Sequence, residues 1–219
     1  MLSRQEEASV IFASAKSQDD FLADLRTQPE IDWKRITVFH LDEYVGLPAT
    51  HPASFRYYLR DRLLQHVPAG QFFELNGEAG HLTAECARYT ALLERHAPSL
   101  VALGIGENGH LAFIDPHNCD FQDPAWVRAV DLDPTCRMQQ VHDGAFVRLE
   151  DVPLRALSLT IPCMLRSPRV VVNVPGPTKR EAVRGALEGP IAESCPASIL
   201  RRHPRATLYL DRESSALLR

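Results

Sequence analysis

The chain has 219 residues, 45% of them hydrophobic and 24% charged, a composition that excludes disordered, collagenous and coiled-coil classes. Its 24 basic and 28 acidic residues leave a formal charge of -4, so no general pull toward nucleic acid or an anionic membrane is expected and any anion site has to be local. At roughly 150 residues per domain, the length suits one domain over residues 1–219 with a sizeable core.

Ala8 to Ala13 (ASVIFA) reads as a buried strand, and Asp19 to Arg26 then sets Phe21, Leu22 and Leu25 at helical spacing. Arg35 to Leu41 (RITVFHL) is the next strand. After a Gly- and Pro-containing turn, Ser54 caps a helix whose apolar and aromatic positions are Phe55, Tyr58, Leu59, Leu63 and Leu64, with Arg56, Arg60 and Arg62 on its solvated face. A third helix covers Leu82 to His96 and leads through Pro98 to a strand at Leu100 to Ile105. The run Val170 to Val174 is another strand, followed by Pro175-Gly176-Pro177 and a helix from Thr178 to about Glu188; Ala206 to Leu210 is the last strand. Nearly every gap between strands is long enough for a crossover helix, so a mostly parallel sheet covered on both faces is expected. No repeat or linker divides the chain.

Cys86, Cys119, Cys136, Cys163 and Cys195 are widely spaced and form no C-x-x-C pair, which reads as small buried or half-buried thiols in a reducing compartment. No apolar run approaches the roughly 20 residues a membrane helix needs, and residues 1–10 lack a signal peptide's apolar stretch, so a cytoplasmic location is expected. Among the nine histidines no pair shows metal-ligand spacing with a third ligand at hand, so no metal is expected. His51, His66, His81, His96 and His203 read as surface groups.

In open parallel sheets ligands bind beyond the carboxyl ends of the strands, where the informative residues should lie. The first such end is His40-Leu41-Asp42-Glu43-Tyr44-Val45-Gly46-Leu47, where adjacent carboxylates close an apolar strand. Successive strand side chains point to opposite sides, so one carboxylate faces a pocket while the other contacts backbone or a helix; the alternative is that both cap the turn. The second is Leu103 to Pro116. Its glycines Gly104, Gly106 and Gly109 permit close backbone approach, and Asn108, His110 and Asp115 supply an amide, an imidazole and a carboxylate. A histidine paired with an acid suits proton transfer near neutral pH, the acid fixing the tautomer. The third glycine is misplaced for a dinucleotide fingerprint. The third end, Val174 to Lys179, and a fourth, Ala13 to Gln18, combine helix starts with lysines, hydroxyls or both, as a phosphate site would.

The segments FHLDEYVGLPATHPASFRYYLRDRL, LGIGENGHLAFIDP, GPTKREAV and ASILRRHPRATLYLD resemble, in this order across nearly the whole chain, the glucosamine-6-phosphate deaminase (isomerase) family, which is related in fold to 6-phosphogluconolactonase. The resemblance implies a three-layer α/β fold with a modified Rossmann-like, mostly parallel sheet. It implies deamination and isomerisation of glucosamine 6-phosphate to fructose 6-phosphate without cofactor. By the same resemblance Asp42 is the general base and His110 helps open the sugar ring, supported by Asn108 and Asp115. Lys179 binds the sugar phosphate, with Ser14, Ala15, Lys16, Ser17 and Gly106 also at the substrate. The partner implied is a small-molecule sugar phosphate, with no nucleic acid and no membrane; assembly into a homo-oligomer is left open.

Four departures from the family pattern stand out. The glycine phosphate loop appears as Ser14-Ala15-Lys16-Ser17, where a Cβ would obstruct a backbone cradle or strain a positive φ, with Lys16 compensating in charge. Phe-Asn-Glu-Pro appears as Phe113-Ile114-Asp115-Pro116. The arginine that many members place before a Phe-Phe pair has Arg137 as its nearest substitute. Family chains also carry a strand and helix before the segment matching Val10; their lack would leave Glu6 to Lys16 beside an incompletely covered edge or face. The altered loop motivates a second reading, a sugar-phosphate binding or regulatory protein that has lost catalysis. A third is a lactone hydrolase of the related fold.

Overall fold

The computed structural model describes residues 7–219. Six strands form one parallel sheet in the order β4-β2-β1-β5-β8-β9: β1 (Ala8–Phe12), β2 (Ile36–His40), β4 (Gln71–Phe72), β5 (Leu100–Leu103), β8 (Val170–Val174) and β9 (Ala206–Leu210). Alternation along the strands builds two cores. Ile11, Phe39, Val101 and Leu103 face one cluster, while Phe12, Val38 and Ala102 face the other. The second cluster is closed by α1 (Asp19–Leu25), which contributes Leu22, and by α2 (Phe55–Leu59) with the wider turn Arg60–Leu64, which contribute Leu59 and Leu63. On the first face lie α3 (Leu82–His96), through Tyr89 and Leu93, and α6 (Arg180–Glu188), through Ala182, Val183 and Ala186. Each fully buried large side chain contributes about 1.5–3 kcal/mol, so these two clusters supply the main drive for assembly.

Between β5 and β8 the structure holds elements that the sequence patterns did not reveal. β6 (Val127–Asp131) and β7 (Arg155–Leu159) pair antiparallel, and β7 also pairs with β3 (Asp42–Tyr44), giving a second sheet of order β3-β7-β6. Helices α4 (Pro134–His142) and α5 (Ile161–Leu165) flank β7 in sequence. The chain crosses from the large sheet to the small one at Leu41, whose N–H reaches Phe12 O at 3.3 Å and whose carbonyl accepts from Leu159 N at 2.8 Å. That crossing places Asp42 where the two sheets meet.

The expectation for Glu6 to Lys16 divides in two, with Glu6 itself outside the described residues. β1 is paired with β2 on one side and β5 on the other, so it is no edge. On one face, however, an apolar groove of about 830 Å³ stays open against Val10, Phe12, Trp33, Leu100 and Tyr209. Two further expectations are corrected. The Ser54 hydroxyl does not cap its own helix but donates to Glu43 Oε2 at 2.7 Å. Arg56 is buried, not solvated, because it pairs with that same carboxylate. All five cysteines are free, three buried and two half-buried. No helix among the described residues is long and apolar enough to cross a membrane.

Candidate active site

At the carboxyl ends of the parallel strands, the loops after β1, β5 and β8, the start of β3 and residues of α2 and α4 line a half-open cavity. Strand alternation sorts the residues of β3. Asp42 lines the cavity, and its carboxyl group makes no hydrogen bond among the described residues. Burial holds that carboxyl well above the usual carboxylate range, and the neighbouring Glu43 pushes in the same direction. Glu43 turns the other way. Its Oε1 accepts from Tyr44 N and Phe55 N, and its Oε2 from the Ser54 hydroxyl, Arg56 N and Arg56 Nε, so it caps α2 from outside the helix.

His40 fixes the backbone beneath Asp42. Its Nε2 accepts from Leu75 N at 2.8 Å, so the ring proton lies on Nδ1, 2.8 Å from the carbonyl of Asp42. Full burial lowers its pKa to about 3, which keeps the ring neutral and the tautomer constant. The sequence reading names this histidine at the strand end but gives it no role, because nothing in an apolar strand points to its partners.

Lining the same cavity as Asp42, the loop after β5 carries a hydrogen-bonded relay. His110 Nδ1 lies 2.8 Å from Asn108 Oδ1 and 3.2 Å from Asp115 Oδ1, and Asn108 Nδ2 donates to Asp115 Oδ1 at 2.9 Å. Asn108 Oδ1 also accepts from His110 N at 3.1 Å. Both neighbours of Nδ1 are acceptors, so Nδ1 carries the proton and Nε2 presents its lone pair. Burial opposes the charge of Asp115, but the hydrogen bond and charge of His110, together with Asn108 and Asp133 N, outweigh it and hold the carboxyl below its ordinary value. The shorter carboxylate at 115 therefore still reaches the imidazole.

Gly106 makes room for that ring. A Cβ there would lie 2.1–2.3 Å from three ring atoms of His110. Gly106→Ala is therefore expected to dislodge the imidazole from Asn108 and Asp115. Proton NMR should then lose the sheltered His110 Nδ1–H signal while retaining that of His40; survival of both signals would contradict this packing.

Residues expected at an anion also line the cavity. Ser14 is buried and its hydroxyl has no partner, and the Lys179 ammonium is likewise buried and unpartnered among the described residues. Burial lowers the pKa of Lys179, against the opposing pull of Asp143 and Glu107. Gly176, at φ 97°, turns the chain from β8 into the short 3-10 turn Pro177–Lys179 that delivers this lysine. Ala15 and Ser17 line the cavity, whereas Lys16 is exposed and lies outside it. The strain expected of the missing glycines does not arise. Ala15 is extended at φ -139°, and neither it nor Lys16 has a positive φ. Tyr58 Oη, 2.8 Å from the carbonyl of Ala15, steadies the loop from α2.

Arg137 is absent from the cavity wall. Its Nη2 donates to the carbonyls of Leu149 and Val152, at 2.6 and 2.9 Å, and so holds the chain beyond α4. The same helix instead contributes Gln139 and Gln140 to the cavity, two residues the sequence reading passed over. The donor atoms of His110, Asp115 and Cys136 lie within 4.8 Å of one another, a grouping that sequence spacing did not suggest. Two of the three are already joined in the relay, and burial raises the pKa of the Cys136 thiol, away from the thiolate that metals prefer.

A family model described as glucosamine-6-phosphate isomerases/6-phosphogluconolactonase matches residues 1–209. A glucosamine-6-phosphate deaminase of Listeria monocytogenes is 36% identical over 206 residues, which span 94% of this chain and 86% of the relative. One of Bacillus cereus is 35% identical over 213 residues, spanning 97% and 79%. A solved monomeric glucosamine-6-phosphate deaminase superposes with a TM-score of 0.90 at 32% identity, over 99% of this chain and 90% of that one. A 6-phosphogluconolactonase of Thermotoga maritima gives 0.75 at 20% identity over 95% and 87%, a likeness of fold alone.

Proposed function

We propose, because the chain belongs to the glucosamine-6-phosphate isomerase/6-phosphogluconolactonase family, that it converts glucosamine 6-phosphate and water to fructose 6-phosphate and ammonia. The observation that carries this reading is one cavity walled by a buried, unpaired carboxyl, a tautomer-fixed imidazole and a buried, unpaired ammonium. The lysine and the Ser14 hydroxyl take the phosphate, whose charge offsets the burial that lowers the pKa of Lys179. That grip is remote from the reacting carbons and holds them in place.

His110 Nε2 takes the proton of the C1 hydroxyl and returns one to the ring oxygen, opening the sugar to its aldehyde; Asn108 and Asp115 stabilise the imidazolium in between. Asp42 then removes the C2 proton. With the aldehyde oxygen taking a proton from the substrate's C2 ammonium, the product is an enolamine. Asp42 returns its proton to C1, leaving C=N at C2, and water adds there as ammonia departs. A raised carboxyl pKa makes Asp42 a stronger base than a solvated aspartate would be. Every side chain used belongs to one copy of the chain. A phosphorylated sugar as substrate and five free thiols fit a reducing, cytoplasmic setting. The absence of strain in the Ser14 to Ser17 loop weighs against the binding-protein alternative.

The test is ammonia release: wild-type protein should form one ammonia per fructose 6-phosphate, and folded protein that forms none would overturn the reading. Lys179→Met should raise KM about tenfold to a hundredfold, the loss expected of a charged hydrogen bond, with a smaller change in kcat. Glucosamine lacking the phosphate should distinguish wild type from this variant poorly. An unchanged KM would remove Lys179 from the phosphate site.

A further inference from the structure

We propose that Gln140 reads the hydroxyls on the middle carbons of the sugar phosphate and so helps determine which epimer is accepted; this rests on the deaminase reading above. α4 presents Cys136 and Gln140 one turn apart on the same side. Cys136 Sγ lies within 4.8 Å of the ligand atoms of His110 and Asp115, and Gln140 follows it one helical turn on, a rise of about 6 Å along α4. The reacting carbons lie at Asp42 and His110, and the phosphate at Lys179 and Ser14. Between them run C3, C4 and C5, each bearing a hydroxyl in the open chain.

The two adjacent glutamines differ in what they have left to offer. Gln139 is occupied: Oε1 accepts from Glu107 N at 2.9 Å, and Nε2 donates to Asp143 Oδ2 at 3.4 Å. Gln140 is only 9% exposed and lines the cavity, yet its side-chain amide has no hydrogen bond among the described residues. Its amide atoms are not sealed from solvent either, so the small exposure it retains opens into the cavity. An amide in the cavity wall that has no protein partner is free to bond a ligand that supplies one. A carboxamide offers a donor and an acceptor together, which matches a hydroxyl; a phosphate only accepts, and the cavity already supplies an ammonium and a hydroxyl for it. Reversing one hydroxyl moves its oxygen away and leaves the amide unpaired, which is how such a site discriminates.

The experiment compares wild type with Gln140→Leu and with Gln140→Met, the unbranched substitute, on glucosamine 6-phosphate and its C3 and C4 epimers, allosamine and galactosamine 6-phosphates. Inorganic phosphate, as a competitive inhibitor, reports on the other end of the cavity, and thermal melting reports on folding. Wild type should favour one epimer. Both variants, melting like wild type, should lose about tenfold in kcat/KM for it, narrow the preference, and leave the phosphate inhibition constant unchanged. Unchanged preference in a folded variant would overturn the assignment, as would a wild type indifferent to epimers or weakened phosphate inhibition that accounts for the whole loss. No ammonia from any of these sugars with wild type would sink the deaminase reading itself, and this assignment with it.

Discussion

Replacing Asp42 with asparagine is expected to lower kcat for ammonia release by about a thousandfold and, at the same time, to stabilise the protein at neutral pH. The first effect follows from removing the group that carries the proton from C2 to C1, since a positioned base contributes about 10²–10⁴ in rate. The second follows from linkage. Burial raises the carboxyl's folded-state pKa above its unfolded value of 3.8, so the folded chain holds the proton more tightly. That preference favours folding below the unfolded pKa and is lost as pH rises through the folded one. Asparagine does not titrate, so the melting-temperature gap in favour of the variant should open as pH rises above about 4. On the acid side, wild-type kcat/KM should fall with an apparent pKa above that of an ordinary carboxylate. Activity within tenfold of wild type, or a gap that closes with rising pH, would contradict the placement of Asp42 as a buried base.

Glu43→Gln should cost about 3–5 kcal/mol of stability, the usual consequence of leaving one member of a buried ion pair without the other. Glu43 is fully buried, and the Arg56 side chain that meets its Oε2 at 2.9 Å is 5% exposed. One carboxylate also satisfies the Ser54 hydroxyl and three backbone N–H groups, and an amide cannot accept at both of its polar atoms. For a chain of this length the loss corresponds to a fall of about 10 °C in melting temperature. Replacing Arg56 with Met in the same molecule should recover part of the loss, because the stranded charge goes with it. A single variant melting within a degree or two of wild type would show that the pair does not anchor α2.

Asp42 and Glu43 show how far residue order reaches. Alternation on a strand is enough to say that one carboxylate faces a pocket and the other a helix, and the structure divides them in that way. The β1, β2, β5, β8 and β9 strands were legible because their apolar runs are short, β-branched and bounded by turns, and α3 because it is long and amphipathic. The span from Val127 to Leu165 was not. β6 (VRAVD) and β7 (RALSL) carry arginines or small residues where a buried strand would show an apolar run, and their pairing joins segments far apart in sequence. α4 (PTCRMQQVH) lacks an apolar stripe because part of its buried side is polar, with Gln139 and Gln140 facing the cavity. Arg56 misled for the opposite reason: an arginine at a solvated spacing was drawn inward by a carboxylate from another element. Tertiary pairing of charges leaves no periodic trace. The Gly106 requirement was visible only as a glycine in a loop, and its cause, the imidazole ring occupying the space of a Cβ, depends on where His110 returns.

The placement of the substrate is tested most directly by a crystal structure with an open-chain amino-alditol 6-phosphate, which binds like the opened sugar but lacks the aldehyde needed for turnover. The phosphate should lie within hydrogen-bond distance of Lys179 Nζ and Ser14 Oγ, with C2 against the Asp42 carboxyl and C1 toward His110. A phosphate held elsewhere, or a chain bound in the reverse direction with its C2 away from Asp42, would contradict the account.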